Sequence, residues 1–226
     1  MSSASRDVSI VVDRSRRVSG LLLAPAEARA CYVLAHGAGA GMRHPFMAAM
    51  AETLAARDIA TLRYQFPYME EGSRRPDVPA VAHATVRAAV TEATRWLPGI
   101  ALIAGGKSFG GRMTSQAQAS SPLPGVRGLA FLGFPLHPAG KPSDERAAHL
   151  ADVRIPLLFL QGTRDELADL ALLRPLIERL GSHAKLVVFA DGDHSFHVPA
   201  RSGRKDADVL DELADALAAW IEATVR

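Results

Sequence analysis

The chain has 226 residues, 48% of them hydrophobic, which suits a single domain of ordinary size with a substantial core and excludes a disordered or modular chain. Lys and Arg number 26 against 24 Asp and Glu, a formal net charge of +2, so no global field favours nucleic acid or an anionic membrane as a partner. A single cysteine, Cys31, excludes an intrachain disulfide. No apolar leader core lies in Met1 to Asp7 and no later run reaches membrane-spanning length, so a soluble cytoplasmic protein is expected.

Two short strands are expected first, Val8 to Val12 and Val18 to Leu23, joined by a polar turn around Asp13 to Arg16 as in a hairpin. Apolar runs suited to burial on both faces follow at Tyr32 to Ala35, Ile59 to Tyr64, Ile100 to Ala104, Gly128 to Gly133, Pro156 to Gln161 and Lys185 to Ala190. Helical stretches separate most of them: Phe46 to Ala56, Val81 to Trp96, Phe109 to Ala119, Leu167 to Leu180 and Val209 to Thr224. The last places Val209, Leu210, Leu213, Leu217, Trp220 and Ile221 on one face, as packing against a sheet requires. Alternation of strand and helix after an initial hairpin predicts an α/β fold with a mostly parallel central sheet and helices on both faces. The interval Phe134 to Arg154 holds Pro135, Pro138 and Pro142 and room for one short helix, Ser143 to Leu150. That is too little for a separate lid, so an open site is expected. Cys31 stands in an apolar run and reads as a buried small hydrophobe.

The segment Gly105-Gly106-Lys107-Ser108-Phe109-Gly110-Gly111 lies between a strand and a helix and has the form of a nucleophile elbow. A Gly-x-Ser-x-Gly turn of this kind strains the serine backbone and thrusts its hydroxyl above the sheet. Gly-Lys-Ser also ends a phosphate-binding P-loop, but that motif needs a glycine where Ala101 stands, inside the strand.

A serine hydroxyl needs a base to take its proton and a third group to fix the base's tautomer. Function in open α/β sheets gathers at the C-terminal ends of strands, so the partners should follow apolar runs. Asp165 follows the run Pro156 to Gln161, and His194 follows Lys185 to Ala190 in a glycine-containing loop. Asp165 is favoured over Glu166, Asp191 and Asp193 as the acid because it starts the helix after the correct strand and matches the order serine, acid, histidine, and His194 over His36, His44, His137 and His197 as the base because it follows the last strand in a glycine-containing loop. A tetrahedral intermediate further needs two backbone N–H donors. Phe109 is expected to supply one. Ala38, in the glycine-rich loop His36 to Gly41, is expected to supply the other. The same loop fails as a dinucleotide fingerprint, because Met42 and His44 stand where the two registers need glycine. No zinc spacing is visible among the eight histidines and one cysteine, so neither metal nor cofactor is expected.

Taken together these residues resemble the α/β-hydrolase superfamily, in particular its small dienelactone-hydrolase-like members, over the span from Tyr32 to the C-terminus. The His36-Gly37-Ala38 start, the elbow, Gly133-Phe134-Pro135-Leu136-His137-Pro138 and Asp193-His194-Ser195 look closest to testis-expressed α/β-hydrolase-like proteins and a related chromatin-complex subunit. The resemblance implies a serine-hydrolase site at Ser108, Asp165 and His194 with donors at Ala38 and Phe109. It departs from dienelactone hydrolases proper, whose nucleophile is a cysteine. The expected reaction is hydrolysis of small carboxylic esters or thioesters. Candidate substrate-lining residues are Phe46, Phe66, Tyr68, Phe134, His137 and Phe196, with Arg63 and Arg112 as charge anchors. The competing reading is a non-catalytic interaction module, which the chromatin-associated relatives suggest.

Overall fold

The computed structural model describes residues 5–226. An eight-stranded sheet runs in the order β1-β2-β4-β3-β5-β6-β7-β8. Its strands are β1 (Arg6–Val11), β2 (Arg17–Leu23), β3 (Ala30–Ala35), β4 (Ile59–Tyr64), β5 (Ala101–Lys107), β6 (Val126–Leu132), β7 (Leu157–Gly162) and β8 (Ala184–Phe189). β1 and β2 form the expected hairpin, and β2 also joins β4 antiparallel. Every pairing from β4 to β8 is parallel.

Strand alternation divides the core between the two faces of the sheet. Cys31, Val33 and Ala35 of β3 pack toward α3 (Pro79–Trp96) and α4 (Phe109–Ser120), whereas Ala30, Tyr32 and Leu34 pack toward α1 (Pro45–Ala55) and α6 (Asp206–Val225). Burying both faces explains why β3 and β4 read as continuous apolar runs. Cys31 is fully buried, and burial pushes its thiol up to about 12. α6 contributes Val209, Leu213, Leu217, Trp220 and Ile221 to the core, the stripe its sequence spacing predicts, while Leu210 is only partly buried. Among the described residues no helix is long and apolar enough to cross a membrane.

The boundaries that moved have local causes. β5 continues three residues beyond the expected end, because Gly105 and Gly106 stay extended and pair with both neighbouring strands, leaving the whole turn to Ser108. α5 (Leu170–Leu180) begins three residues later than expected. Leu167 N–H instead donates to the Asp165 carboxylate at 2.8 Å, and Asp169 caps the helix by accepting from Ala171 N–H at 2.8 Å. α6 begins three residues earlier, where Lys205 N–H donates to Asp208 at 3.0 Å. A one-turn helix, α2 (Pro67–Glu70), was not expected at all. The short helix expected from Ser143 is a 3-10 segment, Glu145–Asp152, and among the described residues no large cap covers the strand ends.

The chain leaves β3 for β4 on one side and returns to β5 on the other, so the order reverses between β3 and β5. Loops after those two strands diverge and open a crevice, the position where open α/β sheets bind ligands.

Candidate active site

The two loops flanking that crevice carry Ala38 and Ser108. Ser108 adopts φ 50°, ψ −118°, a strained backbone for a non-glycine residue, between the end of β5 and the first turn of α4. Its N–H donates to the Leu132 carbonyl at 3.2 Å, tying the elbow to the end of β6. The glycines on either side permit the turn: a Cβ on Gly106 would stand 2.3 Å from the Ala35 carbonyl oxygen, and one on Gly110 would stand 2.5 Å from that of His36.

Ser108 Oγ lies 2.8 Å from His194 Nε2, and His194 Nδ1 lies 2.7 Å from Asp165 Oδ2. The structure thus brings together the three side chains that strand position and chain order single out. Asp165 is buried, accepts from Leu167 N–H through its other oxygen, and receives the Gln161 side-chain amide. A carboxylate so fully engaged keeps its orientation, and a proton on His194 Nδ1 has a fixed acceptor. The rival acids are occupied elsewhere or lie apart. Asp193 Oδ1 accepts from the Ser195 and His197 N–H groups and shapes the His194 loop. Asp191 occupies a left-handed turn, held by its N–H to Thr163 Oγ1 at 2.8 Å.

Ala38 and Phe109 line one cavity together with Ser108. Ala38 N–H has no protein acceptor among the described residues, and Phe109, as the first residue of α4, has none within its helix. The Ala38 loop is held from behind. His36 is fully buried; its Nδ1–H donates to the Gly37 carbonyl at 2.8 Å and its Nε2 accepts from Phe66 N–H at 3.0 Å. Burial pushes its pKa down to about 4, so the ring is neutral at physiological pH. Gly39 N–H reaches Tyr68 Oη at 3.3 Å and Met42 N–H reaches the Gln65 side chain at 2.9 Å.

Two cavities meet at Ser108, Ala38 and Leu167. One, about 300 Å³, is walled by His44, Phe46, Met47 and His194. The other, about 410 Å³, is walled by Pro76, Asp77, Phe109, Arg112, Pro135 and Arg146.

Of the six expected lining side chains, Phe46 alone faces these cavities. Phe66 and Tyr68 are buried behind Phe109, edge-on to its ring at 5.3 and 6.4 Å, where they support the Ala38 loop. Phe134 is core, packed with Phe131 and Phe159. Phe196 stacks behind Phe46 at 6.1 Å. His137 accepts from Asp169 N–H at 2.9 Å and borders a separate cavity on the far side of Asp165. The four aromatic residues share a cause: the expectation rested on loop position, and most apolar loop residues beside a buried sheet are absorbed into its core. Of the two charge anchors, Arg112 lines the second cavity, whereas Arg63 is buried under the Ala38 loop and donates to the Met42 carbonyl at 3.2 Å.

Three contributors escaped sequence reading. Gln161 fixes Asp165 and accepts from Phe134 N–H at 3.0 Å, and His36 holds the Ala38 loop. Lys107 is partly buried; its Nζ donates to the His194 carbonyl and lies 5.5 Å from the Phe196 ring centroid. Burial pushes its pKa down to about 8, opposed by Asp165 and Asp193. Of these three, the sequence draws notice to Lys107 for its P-loop likeness and to His36 as a rival base, and to neither for the contacts it makes here.

Comparison with solved structures agrees with this architecture. The chain is similar to a dienelactone hydrolase from Anabaena variabilis, 22% identical over 100% of both chains with a TM-score of 0.81. It is also similar to an α/β serine hydrolase without a lid from Xanthomonas campestris, 20% identical, covering 96% of this chain and 94% of that one, TM-score 0.73. A third similar structure is the esterase domain of a Rhodothermus marinus protein, 17% identical over 99% and 100% of the two chains, TM-score 0.75. The sequence pattern described as "Alpha/beta hydrolase domain" matches residues 28–222, and with that match the chain belongs to the α/β-hydrolase family.

Proposed function

We propose that this protein is a serine hydrolase that cleaves small carboxylic esters or thioesters through an acyl-enzyme. The observation that carries the reading is the unbroken hydrogen-bonded relay from Ser108 Oγ through His194 to Asp165, with links of 2.8 and 2.7 Å. In this reading His194 Nε2 takes the Ser108 proton as Oγ attacks the substrate carbonyl carbon. Asp165 holds the tautomer with hydrogen on Nδ1 and stabilises the imidazolium that forms. The N–H groups of Ala38 and Phe109 receive the negative oxygen of the tetrahedral intermediate. Collapse expels the alcohol or thiol with the proton returned by His194, and water deacylates Ser108 by the same route in reverse.

Two features support small substrates. The cavities on either side of Ser108 are about 300 and 410 Å³, at the low end for small-molecule sites. Esterase and serine-hydrolase activities also carry the names of similar structures. The test is intact-mass spectrometry after exposure to a small fluorophosphonate. One adduct on native protein and none on Ser108→Ala is the expected result; no adduct on folded native protein overturns the proposal and leaves the interaction-module reading in its place.

A further inference from the structure

We infer that Arg112 and Arg146 form an anion-binding subsite beside Ser108, and that the substrate carries a carboxylate a short distance from the bond that is cleaved. This inference rests on the hydrolase reading of Ser108 and narrows it to a class of ester.

The second cavity opens directly on Ser108, Ala38 and Phe109, and is otherwise walled largely by proline, methionine and leucine side chains. Two arginines from different elements line it, Arg112 from the first turn of α4 and Arg146 from the 3-10 segment. Both are partly buried, yet among the described residues neither makes an ion pair and neither side chain has a protein hydrogen-bond acceptor. Arg112 Nε is shut off from solvent with no partner at all.

Arginines placed for stability normally sit against carboxylates, and a buried donor left unpaired is destabilising. Here the cost is compounded by like charge. Burial, and after it Arg146, hold Arg112 below the usual arginine range, and Arg112 in turn helps to depress the neighbouring His149. The one carboxylate in the lining, Asp77, receives Tyr68 N–H at 3.1 Å and pairs with neither arginine. An anionic ligand group would supply the missing acceptors, and planar forked donors match the geometry of a carboxylate. The other cavity at Ser108 has no such pair: its lining is mostly apolar, with Lys107 turned to the His194 carbonyl. The scissile group would therefore lie between an apolar pocket and a cationic one.

Two matched ester pairs, followed by pH-stat titration, test this: monoethyl glutarate against ethyl pentanoate, and 4-acetoxybenzoate against its methyl ester. The pairs place the anion on the acyl side and on the leaving-group side respectively. In at least one pair native protein should favour the anionic ester by about tenfold or more in kcat/KM, and added salt should erode the preference. Arg112→Gln and Arg146→Gln should each lower that ratio about tenfold. A readout that needs no turnover is protection: monoethyl glutarate should slow fluorophosphonate labelling of Ser108 more than ethyl pentanoate does, and Arg112→Gln should abolish the difference. Equal or better handling of the neutral partner in both pairs, with no difference in protection, overturns the subsite while the hydrolase reading stands. A preference that survives both substitutions overturns its assignment to these arginines. Absence of any adduct with the fluorophosphonate overturns the hydrolase reading itself.

Discussion

At the scale of single residues, the candidate site is held in shape by a few side chains around the Ser108, His194 and Asp165 relay. Leu167 N–H donates to Asp165 Oδ1, so Asp165→Asn should keep its carbonyl oxygen there and turn its amide toward His194 Nδ1, losing the Gln161 bond that shares Oδ2. An amide there favours the wrong tautomer, and steady-state kinetics should show kcat reduced by about three to four orders of magnitude with the fold intact by circular dichroism. Lys107 acts through its neighbour: its bond to the His194 carbonyl pins the loop from below. Lys107→Met keeps the apolar stem and removes that pin, and should lower kcat about tenfold with little change in KM. A fall in stability with kcat unchanged would assign Lys107 to structure alone. Ser108 and His194 could be singled out as candidates in the sequence because chemistry restricts both residue type and position. Lys107, Gln161 and His36 could not, since their roles depend on which backbone groups lie within hydrogen-bond reach after folding.

At the scale of elements, helices and strands were recoverable wherever apolar spacing was strong, as in α3 and α6, and their ends were not. α5 starts where Asp169 caps it, accepting from Ala171 N–H, while Asp165 upstream is taken by His194, Gln161 and Leu167 N–H. The end of β5 turned on glycines, which serve an extended strand in close approach as well as a turn. The aromatic residues near the site were misplaced for a related reason, because a loop residue's distance from the nucleophile is not encoded in its hydrophobicity. For α6 the prediction is direct. Leu217 is fully buried against the sheet, so Leu217→Ala should lower the unfolding free energy by about 2–5 kcal/mol, read from the urea midpoint at unchanged m-value.

At the scale of the whole molecule, stability and site chemistry share titratable groups. His36 and His149 are both pushed down to about 4, chiefly by burial, from an ordinary value of 6.5. In the unfolded chain each takes up a proton near pH 6.5, whereas in the folded protein each stays neutral until about pH 4. The unfolded state therefore binds more protons across that window, and their contribution to stability is full above pH 6.5 and lost as pH falls toward 4. Urea titrations at pH 7 and pH 5 should show a lower midpoint at the acid value, and His149→Gln should shrink the difference. An equal difference in the variant would remove His149 from the account.

The burial of Cys31 in β3 has a practical consequence. A thiol with no solvent access, held far from its ionised form, does not compete for maleimide or iodoacetamide in the folded protein. Any cysteine introduced at the surface then becomes a unique chemical handle, without first removing the native one. Val78, 61% exposed between the cavity residues Asp77 and Pro79, is the natural position. A fluorophore on Val78→Cys would sit at the mouth of the arginine-lined cavity and report occupancy as an optical signal in real time.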